Sequence, residues 1–153
     1  MTVANNRERG LDVEDRACGR WPLEPIAHAH EDRNGWYDLE FTADLEGELT
    51  GPIALEGDRV ECKSCWDRHA DGNGRWWIRR DNHERLVDVD GWYVLAVVDR
   101  ESEEILRMSL TRAKTVDAII DDSWWDCGDG GRCAREFHQI YWTTVFNDLR
   151  GPQ

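Results

Sequence analysis

The sequence predicts an α/β fold in which helices flank a mixed β-sheet. Residues 36–42 alternate between apolar and polar side chains, as a half-buried strand does. Residues 92–98 form an unbroken apolar run, which is typical of a central buried strand. Residues 7–18 and 82–89 carry apolar side chains at helical spacing. A chain of 153 residues is long enough to bury a substantial core, so we expect one domain.

The elements are expected in the order α-β-β-β-α-β-β-α-β, which describes a small α/β sandwich. The expected ranges, in chain order, are 7–18, 36–42, 53–55, 59–64, 82–89, 92–98, 105–110, 115–121 and 139–146.

Local signals predict where two of the helices begin and end. Gly19 is expected to end the first helix, because glycine readily adopts the left-handed conformation found there. Asp81 is expected to cap the N-terminus of the helix at 82–89, and Glu84, three residues later, would complete a capping box. Val89 is expected to point into the core.

Alternation along the strand at 59–64 separates its side chains into two sets. Val60 and Cys62 share one face and are suited to the core. Glu61 and Lys63 share the opposite face. A carboxylate and an ammonium group are therefore expected side by side on a rigid strand.

This Glu-x-Lys pair is a candidate site for phosphodiester hydrolysis. Glu61 would hold a hard cation such as Mg²⁺ or Mn²⁺, and Lys63 would orient water or neutralise phosphate charge. Asp38, on the polar face of the preceding strand, would be a second metal ligand, and Asp44 is its rival. Taken alone, a Glu-x-Lys pair on a surface strand is most often a simple ion pair.

The cysteines provide an alternative in which the chain binds Zn²⁺. Cys62 and Cys65 form a Cys-x-x-Cys pair, and Cys127 and Cys133 would complete four thiolates. A zinc knuckle needs its Cys-x-x-Cys on a tight turn, whereas Cys62 lies within an expected strand. Cys62 is then more simply explained as a small core residue.

One stretch of the chain is locally cationic and aromatic. Arg75, Arg79 and Arg80 are candidates for contacts with DNA phosphates. Trp76 and Trp77 lie between them and would either stack on unpaired bases or fill the core. The core is the commoner place for tryptophans in a strand.

The overall charge is −13, and the basic residues comprise 17 arginines and only 2 lysines. Acidic surplus with few lysines resembles the proteins of salt-loving archaea. A strongly acidic protein is ordinarily a poor partner for nucleic acid. At 1 M salt, charge interactions are screened within about 3 Å. In such a cytoplasm, local binding sites rather than the net charge would determine whether the protein binds nucleic acid.

Neither a long apolar run nor an apolar segment near Met1 is present. We therefore expect a cytoplasmic protein without a membrane partner. Five cysteines in an intracellular chain do not predict a disulfide framework.

The chain resembles the PD-(D/E)xK nuclease superfamily, in particular archaeal Holliday-junction-resolvase-like and restriction-endonuclease-like members. The residues that carry the likeness lie at 60–64, 74–78, 83–86, 91–97 and 142–146. The likeness implies an αβββαβ core, over about residues 8–147, and a metal-dependent deoxyribonuclease.

The resemblance also implies roles for individual residues. Asp38 would match the family's aspartate, and Glu61 and Lys63 its E-x-K. Glu14 on the first helix would match an additional acidic residue, and Asn82 or His83 the helix position that is often glutamine in resolvases. A homodimer acting on branched DNA is implied as well. The alternative is a non-catalytic protein with a degenerate nuclease fold that binds DNA or is stabilised by zinc.

Overall fold

A five-stranded mixed sheet forms the centre of the computed structural model, which describes residues 6–26, 37–47, 51–126 and 136–146. In chain order its elements are α1 (Asn6–Arg20), β1 (Leu23–Pro25), β2 (Leu39–Phe41), β3 (Leu45–Gly47), β4 (Gly51–Ala54), β5 (Arg59–Trp66), β6 (Arg68–His69), β7 (Gly72–Asn73), β8 (Arg75–Arg79), α2 (Arg80–Asp88), β9 (Trp92–Val98), β10 (Ile105–Arg112), α3 (Ala113–Ile120), β11 (Trp125–Asp126), β12 (Glu136–Tyr141) and α4 (Trp142–Val145). The predicted mixed α/β architecture is confirmed.

The strands of the central sheet lie in the order β1-β2-β5-β9-β10. The pairs β1–β2, β2–β5 and β9–β10 are antiparallel, and β5 and β9 are parallel. A parallel pair needs a crossover between its strands, and α2 lies within this one. β5 is therefore the middle one of the five strands, with β2 on one side and β9 on the other.

β9 is the most buried strand, and all seven of its residues are buried, as the apolar run predicts. Its alternate side chains enter two different cores. Trp92, Val94, Ala96 and Val98 pack with residues of α1. The other three, Tyr93, Leu95 and Val97, pack with residues of α2, α3, β8 and β12. The helices thus cover both faces of the sheet.

A smaller sheet in the order β11-β12-β8 covers part of the second face. Trp76 and Ile78 of β8 and Ile140 of β12 point from it into the core. The indole Nε1 of Trp76 donates a hydrogen bond to the carbonyl of Ala96 at 2.9 Å, which satisfies the polar atom of a fully buried side chain. This contact joins the two sheets.

Several expected boundaries are wrong. α1 continues past Gly19 to Arg20, and Gly19 does not have a positive φ. α2 begins at Arg80, its N-cap is Arg79, and no side chain caps it, so the expected capping box is absent. Glu84 instead accepts a hydrogen bond from Arg80 at the start of the same helix.

Three further differences concern the edges of the fold. Val89 is 38 % exposed at the end of α2, and it does not enter the core. The expected final strand ends at Tyr141, and 142–145 form a helical turn. β1, which contains Pro25, was not expected. Proline is tolerated there because β1 is the edge strand of the sheet.

Among the described helices, none combines the length and apolar character that a membrane crossing requires.

Gly74 provides a test of the packing between β5 and β8. A Cβ at this position would lie 1.6 Å from the carbonyl oxygen of Trp66, which is backbone and cannot move aside. We expect Gly74→Ala to lower the free energy of unfolding by about 3 kcal/mol or more in a urea titration.

Gly10→Ala is the matched control for this experiment. Gly10 lies inside α1 with nothing within 4 Å of its Cβ position. The Gly10→Ala substitution should raise the free energy of unfolding by about 0.5–1 kcal/mol, because alanine is the better helix former. Equal stability of the two variants would contradict this packing.

Candidate active site

The candidate site lies where β2 and β5 stop pairing. The two strands pair at Leu39 with Val60 and at Glu40 with Arg59. At the next position, the amide of Asp38 donates to the carbonyl of Val60 at 2.9 Å. Beyond it, the Oδ2 atom of Asp38 accepts a hydrogen bond from the amide of Cys62 at 2.8 Å. We call this region, Asp38 with 60–64, the strand fork.

Among the described residues, side chains bond β5 at the strand fork, beyond the last pairs of β2 with β5. Asp38 satisfies the Cys62 amide from one side. From α1, Arg9 donates through Nε to Oγ of Ser64 at 2.9 Å and through Nη2 to its carbonyl at 3.3 Å. The guanidinium of Arg9 also lies 4.6 Å from the ring of Trp66. The Cys62 amide and the Ser64 carbonyl, at the edge of β5, thus have hydrogen-bond partners beyond the last pair with β2.

Glu61 and Lys63 share one face of β5, as the alternation predicts. They stand beside Tyr93 and Leu95 of β9 in the parallel register. Lys63 Nζ lies 3.2 Å from Glu61 Oε1, and the side chains are 23 % and 11 % exposed. The pair is therefore largely withdrawn from water, unlike a typical surface ion pair.

Burial raises the pKa of the Glu61 carboxyl above its usual range. Lys63 opposes this shift through its positive charge and its hydrogen bond, and the charge of Arg79 also lowers the pKa. The nearby Asp38 carboxylate raises the pKa further. Asp38 and Glu61 are therefore close enough to repel each other, which is the electrostatic setting that a bound cation would relieve.

Asp44, the rival of Asp38, has a different role. Its Oδ1 atom accepts a hydrogen bond from the amide of Glu56 at 2.8 Å in an exposed turn. Asp38 is the one of the two aspartates that bonds β5 within the strand fork.

Glu14 lies on α1, and its charge acts on Cys62 of the strand fork. Burial raises the pKa of the Cys62 thiol well above its usual value, and Asp38, Glu14 and Glu61 raise it further through their negative charges. The charges of all three acidic residues proposed from the sequence therefore act on Cys62. Cys62 itself packs against the α1 core, on the opposite face of β5 from Glu61.

The structure does not bring Cys62 and Cys65 together. Cys62 packs against the α1 core, whereas Cys65 is 2 % exposed in the opposite core. Both are free thiols, and burial raises the pKa of Cys65 to about 12, which disfavours the thiolate that zinc needs. Cys127 and Cys133 lie outside the described residues. Within the described residues, no group of three or more potential metal-binding side chains is present.

The three candidate DNA-binding arginines have acidic neighbours. Arg75 lies 3.6 Å from Asp71, and Arg79 lies 3.1 Å from Asp81. Arg80 contacts the carboxylates of Glu84, Glu136 and Asp122. Arg79 is the one of the three whose charge lowers the pKa of Glu61.

A buried polar chain beside the site was not predicted. His83 is fully buried, with Nδ1 at 2.8 Å from the hydroxyl of Tyr93 and Nε2 at 2.9 Å from Oδ1 of Asp117. Burial lowers the pKa of His83, which favours the neutral ring. Nε2 then donates to the carboxylate of Asp117, and Nδ1 accepts from Tyr93. These residues are far apart in sequence, so no local pattern reveals their contact.

Comparison with known proteins gives one match. Over residues 1–147, the chain matches the family described as the PD-(D/E)XK nuclease superfamily domain. No curated protein and no solved structure matches it. The matched range includes Glu14, Asp38, Glu61 and Lys63.

The raised pKa of Glu61 predicts a pH-dependent effect on stability. The ordinary pKa of this carboxyl is 4.5, and its pKa in the folded protein is higher. Above the folded-state pKa, the buried negative charge lowers the free energy of unfolding. Below 4.5, the carboxyl is protonated in both the folded and the unfolded protein, and this effect disappears. We expect Glu61→Gln to be more stable than the wild type at pH 7, by a margin that shrinks as the pH falls.

Urea titrations across this pH range measure the effect. Glu104→Gln is the control, because Glu104 is exposed, and it should unfold like the wild type throughout. A Glu61→Gln protein that is less stable than the wild type at pH 7 would contradict the proposed cost of burying Glu61.

Proposed function

We propose that this chain, which belongs to the PD-(D/E)XK nuclease superfamily, is a divalent-metal-dependent nuclease that hydrolyses DNA phosphodiester bonds at the strand fork. The observation that supports this most is the buried Glu61–Lys63 pair beside the Asp38 carboxylate. The order α1, β1, β2, β5, α2, β9 further supports the αβββαβ core that the resemblance implies.

The acidic side chains fit a magnesium site better than a zinc site. Mg²⁺ is usually held by one or two protein carboxylates, and water and substrate phosphate provide its other oxygens. Asp38 and Glu61 would supply two carboxylates, consistent with the absence of larger ligand clusters from the described residues. When bound, the cation would stabilise negative charge on the phosphate.

The protein groups would bind and orient the substrate. Asp38 is held by the backbone of β5, and Glu61 is held by Lys63, so both carboxylates are positioned before DNA arrives. The ammonium of Lys63 would donate a hydrogen bond to the attacking water or to a phosphate oxygen. Water would form the new bond to phosphorus as the bond to the leaving sugar oxygen breaks. Glu14, whose charge also acts on Cys62, would assist by strengthening the attraction of the fork for the cation.

The finer features of the function belong to the same proposal. A branched or junction DNA is the proposed substrate, and a cytoplasmic homodimer is the proposed form of the protein. The acidic, lysine-poor composition resembles that of haloarchaeal proteins, so we propose high salt as the condition for the activity test.

The two lysines of the chain allow a matched test of the site. We expect Lys63→Ala to lower the rate of Mg²⁺-dependent cleavage by about 100-fold or more, because one preorganised donor to the reacting phosphate is lost. Lys114→Ala should cleave like the wild type, since Lys114 is exposed and pairs with Asp90 near the start of α3.

The assay would compare labelled linear duplex and four-way junction DNA at several salt concentrations with Mg²⁺ or Mn²⁺. Equal cleavage by Lys63→Ala and the wild type would show that the site is wrongly assigned. DNA binding without cleavage by the wild type would favour a degenerate, non-catalytic member.

A further inference from the structure

The outer face of the small sheet carries a cluster of four aromatic side chains, of which three are exposed and the fourth, Phe137, is buried. It consists of Trp77 on β8, Trp125 on β11, and Phe137 and Tyr141 on β12, and we call it the aromatic face. Trp77, Trp125 and Tyr141 are 47 %, 52 % and 46 % exposed. Large aromatic surfaces that stay in water on one side of a sheet are typical of interaction sites.

Strand alternation explains how the aromatic face arises. On β8, Trp76 and Ile78 are buried, whereas Arg75, Trp77 and Arg79 project from the other side. Opposite them on β12, Tyr141 pairs with Arg75 and Phe137 with Arg79. The sheet therefore presents a row of aromatic rings and guanidinium groups along its outer surface.

The rings are held in a defined arrangement. Trp77 is stacked on Phe137, with ring centroids 4.5 Å apart and planes 10° from parallel. Trp125 meets the same phenyl ring edge-on at 5.7 Å. Because Phe137 covers one face of the Trp77 indole, the exposed area of Trp77 lies on its opposite face and edges. A flat apolar ligand would extend this stack with little loss of conformational freedom.

Cationic groups flank the rings. Arg75 lies over Tyr141 at 5.7 Å, and Arg79 lies at the end of β8 next to α2. Their acidic neighbours, Asp71 and Asp81, form partly exposed pairs with them, and such pairs are readily exchanged for a phosphate. Rings with adjacent guanidinium groups match the alternating bases and phosphates of a nucleic acid strand.

The aromatic face is also close to the candidate site. Arg79, at its edge, directly precedes α2, and His83 of α2 bonds Tyr93, the β9 residue that pairs with Glu61 in the sheet. A strand lying across the rings toward Arg79 would thus approach the Glu61–Lys63 pair. In closed duplex DNA the bases are stacked on each other and their faces are unavailable to Trp77.

We propose that the aromatic face binds unpaired bases of single-stranded DNA, and that it directs cleavage to DNA with a single-stranded segment. The second part of this inference, the direction of cleavage, rests on the proposed nuclease function. The first half concerns binding alone, and it is tested without metal so that its failure and the failure of the nuclease function can be told apart.

The test measures the affinity of labelled oligothymidylate by fluorescence anisotropy in EDTA. The wild type should bind this strand at least about 5-fold more tightly than a duplex of the same length, since each stacked base contributes at least that factor. Trp77→Ala should bind the strand about 5- to 150-fold more weakly. Trp77→Phe, which keeps a flat ring, should recover most of the affinity.

Tyr141→Ala is a second variant, for use if loss of Trp77 disturbs the stack with Phe137, and it should weaken binding in the same direction. Leu55→Ala is the control, because Leu55 is a comparably exposed apolar residue away from the small sheet. Glu61→Gln should bind the strand like the wild type even where it no longer cleaves.

Three results would overturn the inference. The first is absence of single-strand binding by the wild type. The second is unchanged affinity in both Trp77→Ala and Tyr141→Ala. The third is a wild-type dimer that Trp77→Ala converts to a monomer with unchanged affinity for the strand, because the aromatic face would then join two copies of the chain.

Discussion

The placement of a carboxylate inside the protein, next to a single ammonium group, is the constraint on which the rest of the site depends. Glu61 is 8 % exposed, and its closest described counter-charge is Lys63. Burying an ionised carboxylate costs several kcal/mol even after the structure relaxes, and one ion pair seldom offsets that cost fully. A fold that keeps such a group gives up stability, which natural proteins commonly do where a reaction needs the charge.

The sheet makes this placement possible. β5 is fixed along its whole length by the parallel register with β9, so Glu61 and Lys63 cannot change faces without disrupting seven pairings. Along the other edge of β5, the ladder with β2 stops at Val60. Beyond it, the side chains of Asp38 and Arg9 bond backbone groups of β5. Within the described residues, this arrangement brings the carboxylates of Asp38, just before β2, and Glu61, on β5, close to each other.

Much of this arrangement was predictable because it follows from strand periodicity. Two-residue alternation assigned Glu61 and Lys63 to one face of β5 and Cys62 to the other. The unbroken apolar run predicted that β9 is buried, which is confirmed, but the middle strand of the sheet is β5, and β9 lies next to it. The same rule applied to β8 would have separated buried Trp76 from exposed Trp77. Tryptophan is common in cores, which made the buried interpretation equally attractive for both.

The remainder depended on contacts between distant segments. β1 was not predicted because it contains Pro25, and proline argues against a strand in the interior of a sheet. It is tolerated here because β1 lies at the edge of the sheet. The Asp81–Glu84 capping box failed because Arg80 already belongs to the helix and bonds Glu84 itself. The strand expected through Phe146 turns into α4 after Tyr141, although its aromatic and β-branched residues favour a strand.

The most direct test of this account is the position of a divalent cation in a crystal soaked with Mn²⁺, located by its anomalous scattering. The account predicts an ion bound by the carboxylates of both Asp38 and Glu61, and its loss in Asp38→Asn. An ion bound instead at the cysteines, or an Mn²⁺ site elsewhere that is retained in Asp38→Asn, would contradict the assignment of the strand fork as the catalytic centre.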